Sequence, residues 1–479
     1  MQDQNFIDGH WRSAHSGKTF AVCDAATGEE LARVPQSGAL EAVDAINAAD
    51  NAFHGWSTLS PSKRASFLTL IAQGMRERKT EFAQIMTAEC GKPLDEAQGE
   101  VDYGADYFLS AADEANRLQS ESIPSRRADR ALNAIPEPIG IVGAITPWNF
   151  PLAMLARKTA PALAVGCTQV VKPAELTPLT ALAFAQLLHD VGLPAGVVNV
   201  ITGDPSSIGQ AWLSDGRVRK LSFTGSTAVG RLLMKSAAEQ VVRLSLELGG
   251  HAPFIVFSDA DVSAAVVAAV NGKFRVAGQT CVCPNRFIVA EDVYEQFVSQ
   301  FAAMAKELRV GRGRDAGVRI GPLIDDRAIT RIRNQIKDAV SHGAKIVTGG
   351  ETVHVEGCLD RFFAPTVLAN ASTEMLCFRE ETFGPLAPIA KFETESQAIE
   401  MANDTPFGLA GYIFSRDQNA LQRVSRQLNC GIVGVNTGVI SDAYAPFGGR
   451  GWSGFGREGG RWGIEEYISW KYVCAAVNG

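Results

Sequence analysis

Hydrophobic and polar positions change their spacing several times along the chain. The first stretch, to about Ser60, mixes short apolar runs with turn residues such as Asp24 and Gly28. From Pro61 to Leu118, leucines, alanines and phenylalanines recur three and four positions apart among charged residues, which predicts helices. Residues 119–137 are polar and broken by prolines, and we expect them to form a connector or an extension from the body.

A regular alternation begins at residue 139. Apolar runs, each followed by a segment with helical spacing, predict strands at IGIVGAIT, TQVVKP, VVNVIT, RKLSFTG and VVRLSLELGG. Strands of this kind that alternate with helices indicate a parallel sheet covered on both faces. Ligands of such sheets bind beyond the carboxyl ends of the strands.

A second alternating set begins at PFIVF (253–257) and continues to about Asn436. It includes helices predicted near residues 261–275 and 292–307. The chain then becomes rich in glycine, and YISWKYVCAAV predicts a last strand. We therefore expect two α/β domains with a boundary near Gly249–Gly250, and the last strand and residues 119–137 are candidates for subunit contacts.

Composition limits the classes of partner. The 479 residues are too many for one ordinary core, in agreement with two or more domains. The 45 Lys and Arg against 52 Asp and Glu leave a net charge of −7, so we expect neither nucleic acid nor a membrane surface as a partner. No apolar run approaches the roughly 18 residues of a membrane span, and the first residues lack the pattern of a signal peptide. We expect a cytoplasmic protein, in which the nine scattered cysteines form no disulfide scaffold.

The segment GQTCVCP places Cys281 and Cys283 one residue apart. They could be two metal ligands, a small disulfide, a reactive thiol beside a bystander, or two packed apolar residues. C-x-C is not the usual zinc spacing, and none of the seven histidines lies in H-E-x-x-H, so we predict no metal site. The spacing alone leaves the other three readings open.

Two segments suggest phosphate binding. GRGWSG (449–454) spells G-x-G-x-x-G, but it follows no strong strand and opens no convincing helix, so we interpret it as a flexible loop. In SFTGSTAVG a strand ends at Thr224, Gly225 turns the chain and Ser226 opens a helix, whose N–H groups and dipole attract a phosphate. An ordinary N-cap serine explains this pattern equally well.

Three further motifs carry side chains suited to chemistry. In VVKPAE, Lys172 and Glu175 follow a strand, where a carboxylate would accept ribose hydroxyls, although a solvated ion pair is the alternative. In LSLELGG, Glu247 lies between leucines, and apolar surroundings raise the pKa of a carboxyl toward the range of a general base; a salt-bridged glutamate is the alternative. In PWNFP, Asn149 is either an oxyanion donor or a turn residue.

Together and in this order, these motifs resemble the NAD(P)-dependent aldehyde dehydrogenase superfamily. PWNFP, KPAE, FTGS, LELGG, GQTC, EETFGP and PFGG…SG.GRE cover essentially the whole chain. The resemblance implies an aldehyde dehydrogenase-like α/β fold that forms a homodimer or homotetramer. It divides the chain into a Rossmann-variant NAD-binding domain, an α/β catalytic domain and a small oligomerisation extension, which would span residues 1–118 with 138–249, residues 250–445, and residues 119–137 with 460–479.

The resemblance also implies roles for single residues. Cys281 would be the nucleophile, Glu247 the general base, and Asn149 would form the oxyanion hole with the N–H of Cys281. The cofactor would be NAD, with NADP less favoured because of the carboxylate of Glu175. Its binding residues would be Trp148, Lys172, Glu175, Gly225, Ser226, Glu381 and Phe383.

Closer likeness is to succinate-semialdehyde dehydrogenases, through RK in MLARKTAPALAVGCT, KFRVAGQTCVCPNRF and GREGGRWGIEEY. It implies that Arg157, Arg275 and Ser441 bind the distal carboxylate of the substrate, which a guanidinium fork matches. Gly451 stands where the family often has a lysine, so glutarate semialdehyde and other aliphatic or aromatic aldehydes stay open as substrates.

Two further readings follow from the same residues. A CoA-acylating enzyme is the less favoured alternative, because a water-activating Glu247 would waste the thioester that CoA should receive. Some members of the resembling subfamily are inactivated by a disulfide between close cysteines, which makes Cys283 a candidate redox partner of Cys281.

Overall fold

The computed structural model describes residues 3–477, which fold into strands and helices around two large β-sheets. The strands, in chain order, are β1 Asn5–Ile7, β2 His10–Arg12, β3 Thr19–Cys23, β4 Glu30–Pro35, β5 Glu121–Ile123, β6 Arg130–Pro138, β7 Ile141–Ile145, β8 Thr168–Lys172, β9 Val198–Val200, β10 Val218–Thr224, β11 Arg243–Glu247, β12 Ala252–Val256, β13 Pro284–Ala290, β14 Lys345–Thr348, β15 Thr366–Ala369, β16 Leu386–Phe392, β17 Ala410–Phe414, β18 Ile432–Val435, β19 Gly454–Phe455 and β20 Ile468–Ala476. The α-helices are α1 Ala39–Ser57, α2 Pro61–Glu77, α3 Lys79–Cys90, α4 Leu94–Arg117, α5 Ala153–Val165, α6 Leu179–Asp190, α7 Pro205–Ser214, α8 Thr227–Ala237, α9 Val262–Phe274, α10 Glu291–Lys306, α11 Asp326–Ser341, α12 Leu376–Arg379, α13 Glu395–Asn403, α14 Gln418–Gln427 and α15 Gly460–Glu465.

The first sheet has eight strands in the order β19–β11–β10–β7–β8–β9–β1–β2. Its five central strands are parallel, and β7 and β8 are buried along their whole length. A parallel sheet must be covered on both faces, and α5, which contains only buried residues, is one of the covering helices. The predicted α/β alternation is confirmed here.

The second sheet has seven strands in the order β14–β15–β16–β13–β12–β17–β18, all parallel except β14. Phenylalanines fill its core, where the rings of Phe254 and Phe287 lie 5.3 Å apart and contact Phe297 of α10. Helices α9 and α10 confirm the two predicted near residues 261–275 and 292–307.

A third sheet joins the remaining strands in the order β20–β6–β5. Strand β20 pairs antiparallel with β6 over nine residues, from Ile468 opposite Pro138 to Ala476 opposite Arg130. The predicted last strand is confirmed, and residues 119–137 join it in an extension rather than a connector. Residues 478–479 of the predicted oligomerisation segment lie outside the described residues.

Two features of local structure were not predicted. The first stretch contains α1, which the pattern did not reveal because its buried face consists mostly of alanines such as Ala42, Ala45 and Ala49. The segment 449–454, interpreted from the sequence as a flexible loop, is attached to the first sheet: Ser453 is buried and donates to Gly249 O at 2.6 Å, and Gly454 begins β19.

Among residues 3–477, no helix combines the length and the apolar character that crossing a membrane requires.

Candidate active site

A cleft of about 1180 Å³ lies between the two large sheets. On one side the chain leaves the carboxyl ends of β7, β8 and β10, and on the other it enters the amino ends of β13 and β16. Side chains from both sheets therefore converge on one space, as expected for ligands of open parallel sheets.

Twelve of the fourteen residues predicted to form the site line this cleft, and the other two, Glu247 and Cys283, are buried and do not line it. The twelve are Trp148, Asn149, Arg157, Lys172, Glu175, Gly225, Ser226, Arg275, Cys281, Glu381, Phe383 and Ser441.

Cys281 is half-buried in a turn that precedes β13. Gly250 packs directly against it, since a Cβ on Gly250 would lie 2.2 Å from the carbonyl oxygen of Cys281. The end of the first sheet and the Cys281 turn can approach this closely only because glycine occupies position 250. Burial raises the pKa of the Cys281 thiol to about 12, although the positive charge of Arg157 opposes this.

Asn149 is buried in the turn after β7. Its Nδ2 donates to the carbonyl oxygen of Gln279 at 2.8 Å, two residues before Cys281. The amide thus faces the segment that carries the thiol, and the position fits an oxyanion donor better than a solvated turn residue.

Glu247 is the last residue of β11, and its carboxylate is buried. Burial and the nearby Glu458 raise the pKa of Glu247 well above its usual range. Within residues 3–477, its Oε2 accepts no hydrogen bond. Glu247 therefore forms no salt bridge with the residues that the structure describes.

Lys158 and Glu458 complete this buried cluster, and the sequence analysis did not single them out. Lys158 Nζ donates to Glu458 Oε1 at 2.6 Å and to Thr224 Oγ1 at 2.7 Å. A signal was present: the adjacent Arg157 and Lys158 interrupt an otherwise apolar helix, so both charges needed buried partners.

The predicted nucleotide residues occupy the carboxyl edge of the first sheet. Lys172 is buried and bonds to the side chain of Glu175, which is 43% exposed and faces the cleft. Burial lowers the pKa of Lys172, and Glu175 opposes that effect. The pair is thus only half solvated, and its carboxylate is accessible to a ligand.

Gly225 and Ser226 form the turn between β10 and α8. A Cβ on Gly225 would lie 2.4 Å from the ring of Phe223, so only glycine fits at this point of the cleft wall. Ser226 Oγ accepts the N–H of Val229 at 3.3 Å as a helix N-cap. Ser226 is therefore the helix cap that the sequence suggested as an alternative, and it also lines the cleft.

Glu381 and Phe383 reach the cleft from the second sheet. Glu381 Oε1 accepts the N–H of Gly250 at 2.8 Å, and burial raises the pKa of Glu381 to about 7. The ring of Phe383 meets that of Trp148 edge to face, with centroids 5.7 Å apart. These contacts join the two sheets across the cleft.

Arg157 is held in a cage of aromatic rings on the floor of the cleft. Its guanidinium lies 4.0 Å from the centroid of Phe447 and 5.1 Å from that of Tyr107, and it donates to the hydroxyl of Tyr103. It also lies 3.6 Å from Glu458 Oε2. The cage presents the charge in a fixed position.

Arg275 is half-buried, with its guanidinium 5.0 Å from the centroid of Phe150, and Ser441 is also half-buried. With Arg157 they bring two cations and a hydroxyl into the cleft that contains Cys281. This set matches a substrate with an aldehyde at one end and an anion at the other.

Cys283 is fully buried, and its Sγ lies 3.4 Å from Lys273 Nζ. Burial raises the pKa of the Cys283 thiol, although Lys273 opposes this. Both Cys281 and Cys283 are free thiols in this structure.

Within residues 3–477, no group of three or more His, Cys, Asp or Glu side chains is arranged to hold a metal ion.

A model of the aldehyde dehydrogenase family matches residues 11–473. A 3-sulfolactaldehyde dehydrogenase of Pseudomonas putida is 50% identical, over 99% of this chain and 97% of the relative. A glutarate-semialdehyde dehydrogenase of Pseudomonas putida and an NADP(+) succinate-semialdehyde dehydrogenase of Escherichia coli are each 47% identical, over 100% of this chain and 98% of the relative. The crystal structure of a succinate-semialdehyde dehydrogenase from Burkholderia pseudomallei superposes with a TM-score of 0.98 at 48% identity, covering 100% of this chain and 98% of that one.

Proposed function

The chain belongs to the aldehyde dehydrogenase family, and from this premise we propose that it oxidises succinate semialdehyde to the dicarboxylic acid with NAD⁺. One observation carries the choice of substrate: Arg157 and Arg275 line the cleft that contains Cys281. Two guanidinium groups in a shared, partly desolvated space favour a substrate with a distal anion. The names of the relatives agree with this class, since a semialdehyde and a sulfonated aldehyde both carry one.

The residues that we propose to bind the cofactor suit NAD⁺. Gly225 leaves room beside Phe223 where a phosphate would approach, and the exposed carboxylate of Glu175 suits ribose hydroxyls. NAD⁺ bound by these residues would supply the acceptor for the hydride that leaves the aldehyde carbon. The carboxylate of Glu175 repels a 2′-phosphate, so we propose NAD⁺ as the preferred cofactor, although one relative carries NADP(+) in its name.

In the proposed mechanism, the Cys281 thiolate attacks the aldehyde carbon and forms a thiohemiacetal. The amide of Asn149 and the backbone N–H of Cys281 stabilise the negative oxygen. Loss of hydride leaves a thioester on Cys281. Glu247 removes a proton from water, the water oxygen attacks the thioester carbon, and the carboxylic acid departs as the thiol is restored.

Burial raises the pKa of Cys281 to about 12, so burial opposes formation of the thiolate. The thiolate forms only when a positive charge or a base approaches the sulfur. Arg157 favours ionisation because its charge lowers this pKa, and a positively charged nicotinamide ring bound in the cleft would act in the same direction.

Steady-state kinetics with succinate semialdehyde, glutarate semialdehyde and butanal test the proposal. Butanal has the same four-carbon chain as succinate semialdehyde but no carboxylate. We expect kcat/KM for succinate semialdehyde to exceed that for butanal by roughly 10- to 100-fold, the value of one or two charged hydrogen bonds. Arg275→Met should remove most of this preference, whereas Arg327→Met, at an exposed arginine of the same cleft, should not.

Equal efficiency with butanal contradicts the assignment of substrate, and higher efficiency with glutarate semialdehyde favours the longer substrate. Product formation that depends on added CoA supports the CoA-acylating alternative instead.

A further inference from the structure

Three charged residues at the start of α4 lie four positions apart: Lys92, just before the helix, then Glu96 and Glu100. A spacing of four places Glu96 and Glu100 on one face of this helix. None of the three lines the cleft. Each nevertheless binds the backbone of a segment that carries a proposed catalytic residue.

Lys92 and Glu100 hold the segment of Asn149. Lys92 Nζ donates to the carbonyl oxygen of Asn149 at 2.6 Å and forms an ion pair with Glu100, and neither side chain is exposed to solvent. Glu100 Oε1 accepts the N–H groups of Leu152 and Ala153 at 2.9 and 3.1 Å. The pair therefore fixes both the turn that presents the Asn149 amide and the first residues of α5.

Glu96 holds the segment of Cys281. Its Oε2 accepts the N–H of Val276 at 2.8 Å. Val276 and Ala277 have left-handed backbones, with φ of +49° and +53°. A β-branched residue in this region is strained by about 1–3 kcal/mol, so it persists only where its surroundings enforce it.

The strained turn also has little freedom to relax toward its neighbours. A Cβ on Gly278 would lie 2.2 Å from Gly384 O, and Gln279 both accepts from Ile324 N at 3.0 Å and donates to Val276 O at 3.1 Å. Two side chains reach this turn from the side of the first sheet: Glu96, which accepts the N–H of Val276, and Asn149, whose Nδ2 donates to Gln279 O. The carboxylate of Glu96 thus links α4 to the Cys281 turn.

We propose that Lys92, Glu96 and Glu100 are positioning residues that fix the separation between the Asn149 amide and the Cys281 sulfur. The start of α4, with Lys92 just before it, binds backbone atoms of both segments and so fixes their position relative to each other. The inference rests on the roles proposed for Asn149 and Cys281. It goes beyond those roles, because the three positioning residues lie outside the cleft and contact no substrate.

The first test replaces Glu96. We expect Glu96→Ala to lower kcat by roughly 10- to 100-fold, since a displacement of about 1 Å at reacting atoms costs this much. The KM for NAD⁺ should change little, because Glu96 does not line the cleft. Glu96→Gln should recover most of the rate, since its amide oxygen accepts the same N–H.

Asp95→Ala is the matched control. Asp95 is the exposed neighbour in the same first helical turn, so its loss removes the same charge from the same helix end. A kcat that falls equally in Asp95→Ala, or that is unchanged in Glu96→Ala, overturns the proposal.

A second measurement needs no activity. Hydrogen–deuterium exchange of residues 276–281 should become faster in Glu96→Ala than in the unsubstituted protein and in Asp95→Ala, while exchange in the middle of α4 stays the same. Unchanged exchange in residues 276–281 overturns the positioning role. A protein that oxidises no aldehyde contradicts the proposed function, and the exchange result still decides the role of Glu96.

The third test addresses the buried pair. Lys92→Met alone leaves the buried charge of Glu100 without a partner and threatens folding, so we choose the double variant Lys92→Met with Glu100→Gln, which removes both charges. With thermal unfolding used to verify folding, kcat should fall roughly 10-fold or more while KM for NAD⁺ is unchanged. A folded double variant with unchanged kcat overturns the role of the pair.

Discussion

Glu247 sits in a cluster of charges that determines when it is ionised. Its carboxylate is buried near Glu458, and both effects raise its pKa, whereas Lys158 and Arg157 oppose them. The sequence predicted Glu247 from its apolar neighbours. It did not predict the cluster, because Lys158 and Glu458 lie 300 residues apart and only the fold brings them together.

The raised pKa of Glu247 predicts how the rate depends on pH. A general base works only when ionised, so kcat should rise with pH through a pKa above the usual carboxyl range. Glu247→Gln should still release one equivalent of reduced cofactor rapidly and then turn over about 10²- to 10⁴-fold more slowly, since the thioester is not hydrolysed. Stopped-flow absorbance measures both phases. Full steady-state turnover in Glu247→Gln contradicts the role of this residue.

Cys283 was predicted either as a packed neighbour or as a redox partner of Cys281. The structure buries it against Lys273, so a disulfide requires Cys283 Sγ to leave that contact. We still expect peroxide to inactivate the protein and a thiol reductant to restore it. Once peroxide has oxidised the sulfur of Cys281, the thiol of Cys283 can form a disulfide with it.

The measurement is the fraction of activity that the reductant recovers. It should be smaller in Cys283→Ala and unchanged in Cys377→Ala, which removes another buried thiol. The same recovery in both variants rejects the switch.

At the scale of elements, the strands and helices of the two alternating sets followed the apolar pattern closely. Long, fully buried elements such as α5 and β7 leave a strong signal in the sequence. Helix α1 left a weak one, because a buried face of alanines resembles a surface of small residues. The pairing of β19 with β11 was not predictable, since it joins two residues of a glycine-rich segment to a strand about 200 positions earlier.

The carboxyl end of β8 carries the prediction about cofactor preference. Glu175 faces the cleft and pairs with Lys172. We expect higher kcat/KM with NAD⁺ than with NADP⁺, and Glu175→Gln should lower this ratio by about tenfold or more, because it removes a repulsive charge and frees the ammonium of Lys172. Glu239→Gln, at another carboxylate of the cleft lining, serves as the control. A ratio below one in the unsubstituted protein contradicts the preference for NAD⁺.

At the scale of the whole molecule, the site belongs to neither large sheet alone. The division into cofactor and catalytic domains remains a prediction, but each sheet contributes one wall of the cleft. The sequence motifs predicted residues of both walls, because PWNFP and LELGG belong to the first sheet's part of the chain and GQTC to the second's. The sequence could not show that opposite strand ends face each other, since this follows from the packing of the sheets.

Strand β20 is exposed at the edge of the third sheet, and Tyr472 is 61% exposed. Because a long edge strand with exposed aromatic rings is suited to pairing, we expect it to bind another copy of the chain. We expect Tyr472→Glu to lower the mass in sedimentation velocity from a dimer or tetramer toward the monomer. Leu40→Glu, at a side chain 66% exposed on α1, should not change the mass. A monomeric unsubstituted protein contradicts this expectation.

The contact between Lys158 and Glu458 has a consequence for biosynthesis. During translation, the first sheet can be completed only after residues 454–455 have left the ribosome, and the charge of Lys158 stays unpaired until Glu458 follows. The catalytic centre therefore matures at a late stage of synthesis. Nascent chains that stall before residue 458 should carry every predicted nucleophile, base and oxyanion donor and still be inactive.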